Sequence, residues 1–165
     1  MTLAAMFLAI ALVLPFITGQ IPQIGKALCP MHLPVMLCGF FCGPWYAMFV
    51  GMTAPVLRSL IFGMPRMMPD AFVMFFELAA YGFFAGLFYR ILPKKPHFIY
   101  VSLILSMILG RVVWAASRLI LVGLGKSEFG WAAFVAGAFT NAIPGIIVQI
   151  VLIPILVMSL KRYTE

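Results

Sequence analysis

The chain has 165 residues, of which 65% are hydrophobic and 9% charged, with a formal net charge of +7 and a mean hydropathy of +1.16. That composition excludes a soluble globular domain and makes lipid the solvent. The basic excess does not call for a nucleic-acid partner, because the basic residues stand at helix ends or inside apolar segments.

Apolar stretches of about 17 or more residues recur between Gly, Pro and charged punctuation, the pattern of a polytopic helical bundle and not of a barrel. The expected fold is an all-α integral membrane protein, a six-transmembrane-helix bundle forming a single domain over residues 1–165. The first span runs from about Thr2 to Ile17; with no basic segment ahead of it, it reads as a retained span and not a cleaved signal. Gly19, Pro22 and Gly25 make residues 18–31 an irregular loop and a candidate lid. A short helix from Leu33 to Cys42 stops at Gly43-Pro44, and the third begins at Trp45-Tyr46, an interfacial aromatic pair, and runs to Phe62.

Three breakers in Gly63-Met64-Pro65-Arg66-Met67-Met68-Pro69 precede a fourth span from Asp70 to Arg90, with Asp70 in its first turn, where negative charge is favoured. Pro93-Lys94-Lys95-Pro96 makes a tight polar hairpin into a fifth span, Phe98 to Val122. After a loop from Gly123 to Gly130, a sixth span runs from Trp131 to Leu160, with kinks expected at Pro144 and Pro154. Short-loop basic residues are retained in the cytoplasm. Arg90, Lys94, Lys95, Lys161 and Arg162 therefore place both termini inside, with Lys26, Arg66 and Lys126 outside.

Arg58, Glu77, Arg111 and Arg118 lie within apolar segments, and each charge near a helix centre costs about 2.5–3.5 kcal/mol on insertion scales. Arg118 falls about 8 Å and Arg111 about 18 Å below the outer end of span five; seven residues apart, the two point the same way. An antiparallel span four brings Glu77 towards the depth of Arg58, and Asn141 reaches that of Arg111. With Trp114 on nearly the same face as Arg111, and Phe134 and Phe139 on span six, these residues make a candidate pocket of apolar walls and few fixed polar groups. Three arginines against one glutamate leave two positive charges in excess, which an anionic ligand would neutralise. The competing reading has Arg58 and Arg118 reaching to the interface, with Glu77 paired to one of them.

His32, opening the second helix, is a candidate ligand contact or a helix-start hydrogen-bonder. Gly39 with Gly43, Gly82 with Gly86, and Ala5 with Ala9 are small-xxx-small pairs that allow close helix approach, while Gln149 reads as a packing residue. Cys29, Cys38 and Cys42 have no zinc spacing and read as small apolar residues. Gly125-Lys126-Ser127 imitates the end of a phosphate loop, but its first glycine would fall at Ile120, inside a membrane helix. No metal, no cofactor and no enzymatic activity are expected.

The chain resembles the substrate-binding S components of energy-coupling factor (ECF) transporters, the ABC-type vitamin importers of bacteria. The resemblance runs through the six-span layout, Ala5-Met6-Phe7-Leu8-Ala9, Pro30-Met31-His32-Leu33-Pro34 through Gly43-Pro44, and Pro55 to Pro69 leading into Glu77. It implies a bacterial plasma-membrane protein that captures a vitamin from outside in a pocket of the later helices, capped by the first loop. A separate transmembrane subunit and two ATPase subunits would drive import, with Ala5 and Ala9 matching the pattern that meets the transmembrane subunit. The pantothenate-like branch is the closest in appearance, with another anionic vitamin, folate, a pyrimidine precursor of thiamine, riboflavin or a pyridoxine-type compound left open as the substrate. The alternatives are a cobalt or nickel S component, from which the internal Met31-His32 departs, and a non-transport assembly or sensor protein.

Overall fold

The computed structural model describes residues 1–17, 30–93, 95–125 and 143–162. Among them are six α-helices and no strand: α1 (Thr2–Ile17), α2 (His32–Cys42), α3 (Pro44–Phe62), α4 (Phe72–Ile91), α5 (Pro96–Gly123) and α6 (Ile143–Arg162). A π-helical turn, Met67–Ala71, leads into α4. Four segments are long and apolar enough to cross a membrane: Pro44–Phe62, Met67–Ile91, Pro96–Gly123 and Ile143–Leu160. Thr2–Phe16 and His32–Cys42 are shorter apolar helices.

The boundaries follow backbone chemistry. Between α2 and α3, Gly43 adopts φ 96° and ψ 176°, a region open to glycine and not to L side chains. Its Cα also lies against the Arg90 guanidinium, so a Cβ there would collide with the arginine. Pro44 then opens α3, where a missing N–H costs nothing. At the other end Gly63, left-handed at φ 68°, donates its N–H to Ser59 O at 3.0 Å and closes the helix.

The segment after Gly63 differs from the expected helix start. Met68 is extended (φ −123°, ψ 133°), and Ala71 N–H donates to Arg66 O at 2.8 Å. Asp70 therefore sits in the π turn, ahead of the regular α-helix. The fifth helix starts at Pro96, two residues before the expected Phe98, because a proline at the first helical position forfeits no hydrogen bond. Its 28 residues make about 42 Å of helix, longer than the roughly 30 Å hydrocarbon core. Of the sixth span, residues 131–142 lie outside the described residues; Pro154 is buried within α6, as is Gln149.

Helix α4 is the axis of the bundle, packed by α2, α3 and α5. Glycine makes those contacts backbone to backbone. A Cβ at Gly82 would stand 2.6 Å from Ala47 O, one at Gly39 2.8 Å from Gly82 O, and one at Gly86 2.6 Å from Pro44 N. The core between them holds Met36, Leu78, Leu103 and Ile153, all sealed from solvent. On α1, Ala4, Phe7 and Ala11 turn inward while Ala5 and Ala9 face out.

Candidate functional site

The polar residues of the bundle gather where α2, α4 and α5 meet. Glu77, on α4, is 3% exposed and receives partners from two other helices. His32 Nε2, from the first residue of α2, lies 3.5 Å from Glu77 Oε1, and Arg111 Nη1, from α5, lies 3.3 Å from the same oxygen. Tyr81, one turn after Glu77 on α4, sets its ring edge-on to the imidazole with centroids 5.0 Å apart. That ring needs room on α5, and Gly110 provides it: a Cβ there would fall 2.7 Å from Tyr81 Cε1. The glycine beside Arg111 thus sets how closely α5 brings its guanidinium to α4.

A second ion pair lies two turns further along. Arg118 Nη2 donates to Asp70 Oδ1 at 2.6 Å, with the arginine side chain 12% and the aspartate 34% exposed. Trp114 stands between the two pairs, and the guanidinium carbons of Arg111 and Arg118 are each 5.9 Å from its ring centre, within cation–π range. His32 Nδ1, His32 Nε2 and Glu77 Oε1 are sealed from solvent and make no hydrogen bond among the described residues. Such atoms are costly to bury, and a polar ligand group that both donates and accepts would satisfy them.

The structure thus joins His32, Glu77, Arg111, Trp114 and Arg118. It places Arg58 elsewhere. That side chain is buried and donates from Nη1 to Leu12 O at 2.7 Å, with Cζ 5.0 Å and 5.6 Å from the rings of Phe16 and Phe62. The C-terminal end of α1 presents the negative end of its carbonyl dipoles, a natural seat for a cation. Glu77 accordingly meets Arg111 and His32, where the sequence expects it near the depth of Arg58. Asn141, Phe134 and Phe139 lie outside the described residues, as do residues 18–29 of the expected lid.

Asp70 is the residue that sequence reasoning missed as a site member. A signal for it exists: Asp70 and Glu77 are seven residues apart, as are Arg111 and Arg118. On adjacent antiparallel helices the order reverses, which pairs Glu77 with Arg111 and Asp70 with Arg118. The charge count changes with it. Two guanidiniums face two carboxylates in the cluster, and Arg58 is not part of it, so the expected excess of two positive charges is absent among these described residues.

Among the described residues no group of three or more His, Cys, Asp or Glu is placed to hold a metal; Cys38 and Cys42 are free thiols one turn apart. Two clefts lie away from the cluster: about 260 Å³ lined by Gly43, Tyr89 and Arg90, and about 230 Å³ between α1 and α3 lined by Ala5, Tyr46 and Phe49. Neither contains the ion pairs, and the cluster outranks them as a ligand site because it holds the buried polar atoms.

A family model described as ECF transporter, substrate-specific component, matches residues 1–157. No curated protein and no solved structure matches the chain.

Proposed function

The chain belongs to the ECF transporter substrate-specific component family, and from that premise we propose that it captures pantothenate outside a bacterial cell for ATP-driven import. Membership makes it a multi-pass membrane protein and the substrate-recognising part of a transporter, not the part that hydrolyses ATP. The observation that carries the site is the His32–Glu77–Arg111 cluster, in which a buried carboxylate gathers two basic side chains and Arg111 remains 21% exposed. The guanidiniums of Arg111 and Arg118, both against Trp114, make a basic pair that suits a carboxylate. The unsatisfied His32 nitrogens and Glu77 Oε1 suit hydroxyl or amide groups. Pantothenate carries a carboxylate, an amide and hydroxyls on an apolar frame.

In this reading His32, Glu77, Arg111, Trp114 and Arg118 contact the ligand, and Asn141 joins them. Arg58 acts by holding the end of α1. Both termini face the cytoplasm, in keeping with Arg90 and Lys95 at one end of the bundle. The outward faces of Ala5 and Ala9 receive the transmembrane subunit of an energising module that carries two ATPases, since small residues allow close helix approach.

Thermal unfolding of the detergent-purified protein against a panel of vitamins, cobalt and nickel tests the proposal. A ligand at 100 times its dissociation constant adds about 2.7 kcal/mol. Stabilisation by pantothenate that Arg111→Gln removes is the expected result. Selective stabilisation by another vitamin would replace the substrate, and silence across the panel would overturn capture itself.

A further inference from the structure

We infer that Arg118 and Trp114 form a carboxylate subsite which Asp70 fills until the carboxylate of a ligand displaces it, so that Asp70 competes with acidic ligands and not with neutral ones. The inference deepens the proposed reading that this cluster holds the imported solute, and rests on it.

The cluster is balanced: Glu77 answers Arg111, and Asp70 answers Arg118. A carboxylate ligand entering beside both acids would leave a net negative charge in a largely desolvated site, which is unfavourable in low dielectric. One of the two acids has to yield, and burial decides which. Glu77 has a side chain 4% exposed, with partners from two helices; withdrawing it would strand a charge. Asp70 is 34% exposed and stands at the end of the Met67–Ile91 apolar segment, so an outward rotation carries it towards the headgroup region, where water is available.

Its backbone is suited to the exchange. Asp70 belongs to a π turn that contains the extended residue Met68, not to the regular hydrogen-bond ladder of α4. Arg118 cannot follow it into water, because its side chain is 12% exposed and its guanidinium stands over Trp114. A ligand carboxylate would take the place of Asp70 with the charge count unchanged. An alcohol or amide offers no replacement anion, so it does not compete with Asp70 for Arg118 and the pair stays in place.

Trp114 supplies the readout. With Trp45 and Trp131 replaced by Phe, Trp114 is the one remaining tryptophan, and its fluorescence reports the two guanidiniums against it, which Arg118→Gln tells apart. The purified protein is titrated with propionate against chloride at constant ionic strength, and separately with propionamide. Asp70→Asn should respond to propionate at about fivefold lower concentration than its Asp70 parent, equivalent to about 1 kcal/mol for a partly exposed pair. Asp70→Ser should behave alike, propionamide should not distinguish the variants, and Asp70→Asn combined with Arg118→Gln should lose the response. Equal propionate sensitivity in parent and Asp70→Asn, no response in Asp70→Asn, or a response that survives Arg118→Gln would overturn the inference. Because propionate replaces the vitamin, failure here is distinct from silence across the vitamin panel, which is the failure of the transport reading itself.

Discussion

The Glu77–Arg111 pair lends itself to a double-mutant cycle with Glu77→Gln and Arg111→Met. The two charges are 3.3 Å apart, and breaking a buried pair by removing one partner costs about 3–5 kcal/mol, most of it the penalty of the stranded charge. The two halves should not be equal. Glu77→Gln strands Arg111, whose side chain is 21% exposed and keeps its contact with the face of Trp114, so its cost should fall at the low end, about 3 kcal/mol. Arg111→Met strands Glu77, which has almost no access to water and keeps only His32 of its two basic partners; about 3–5 kcal/mol is expected. The double variant buries neither charge and should lose only about 1–2 kcal/mol, well below the sum, a coupling of at least about 3 kcal/mol. Thermal unfolding in detergent reads these differences, at about 2–4 °C per kcal/mol for a chain of this length. A double-variant loss equal to the sum of the single losses within about 0.5 kcal/mol would refute the pairing. Equal or inverted single losses would refute the burial argument.

Gly82→Ala places a methyl 2.6 Å from Ala47 O, and overpacking of about 1–3 kcal/mol offset by about 1 kcal/mol of helix propensity should lower the unfolding temperature. Gly123→Ala meets nothing within 4 Å and should be neutral; equal effects of the two would refute the close approach of α3 and α4. Ala9→Trp on the outward face of α1 should abolish uptake in a reconstituted transporter while vitamin binding, measured by calorimetry, persists; loss of both would remove the partner surface from the proposal. Arg58→Lys keeps the charge but loses the planar face stacked on Phe16 and Phe62, and should cost about 1 kcal/mol of stability while leaving the stabilisation by pantothenate unchanged. A loss of that stabilisation would return Arg58 to the ligand.

Much of this architecture is written in the amino-acid sequence alone. Apolar runs of membrane length leave helices as the way to satisfy every backbone group in lipid, and Gly43-Pro44, Gly63 and Pro96 stop or start those helices by backbone chemistry that needs no neighbour. Arg111, Arg118 and Glu77 announce themselves through their cost in hydrocarbon. Which of them meet is a different matter. Position along one helix gives depth, but the partner of a charge depends on which helices are adjacent and how they are rotated, and that is decided by packing. Gly82 against Ala47 and Gly110 beneath Tyr81 set the approach of α3 and α5 to α4. The same close fit turns Glu77 to Arg111 and His32, brings Asp70 out of an apparent helix-start role onto Arg118, and leaves Arg58 to the end of α1. Hydropathy and the cost of buried charge determine the membrane bundle and its short list of polar residues; only the tertiary contacts balance their charges, because an ion pair is a property of two surfaces brought together.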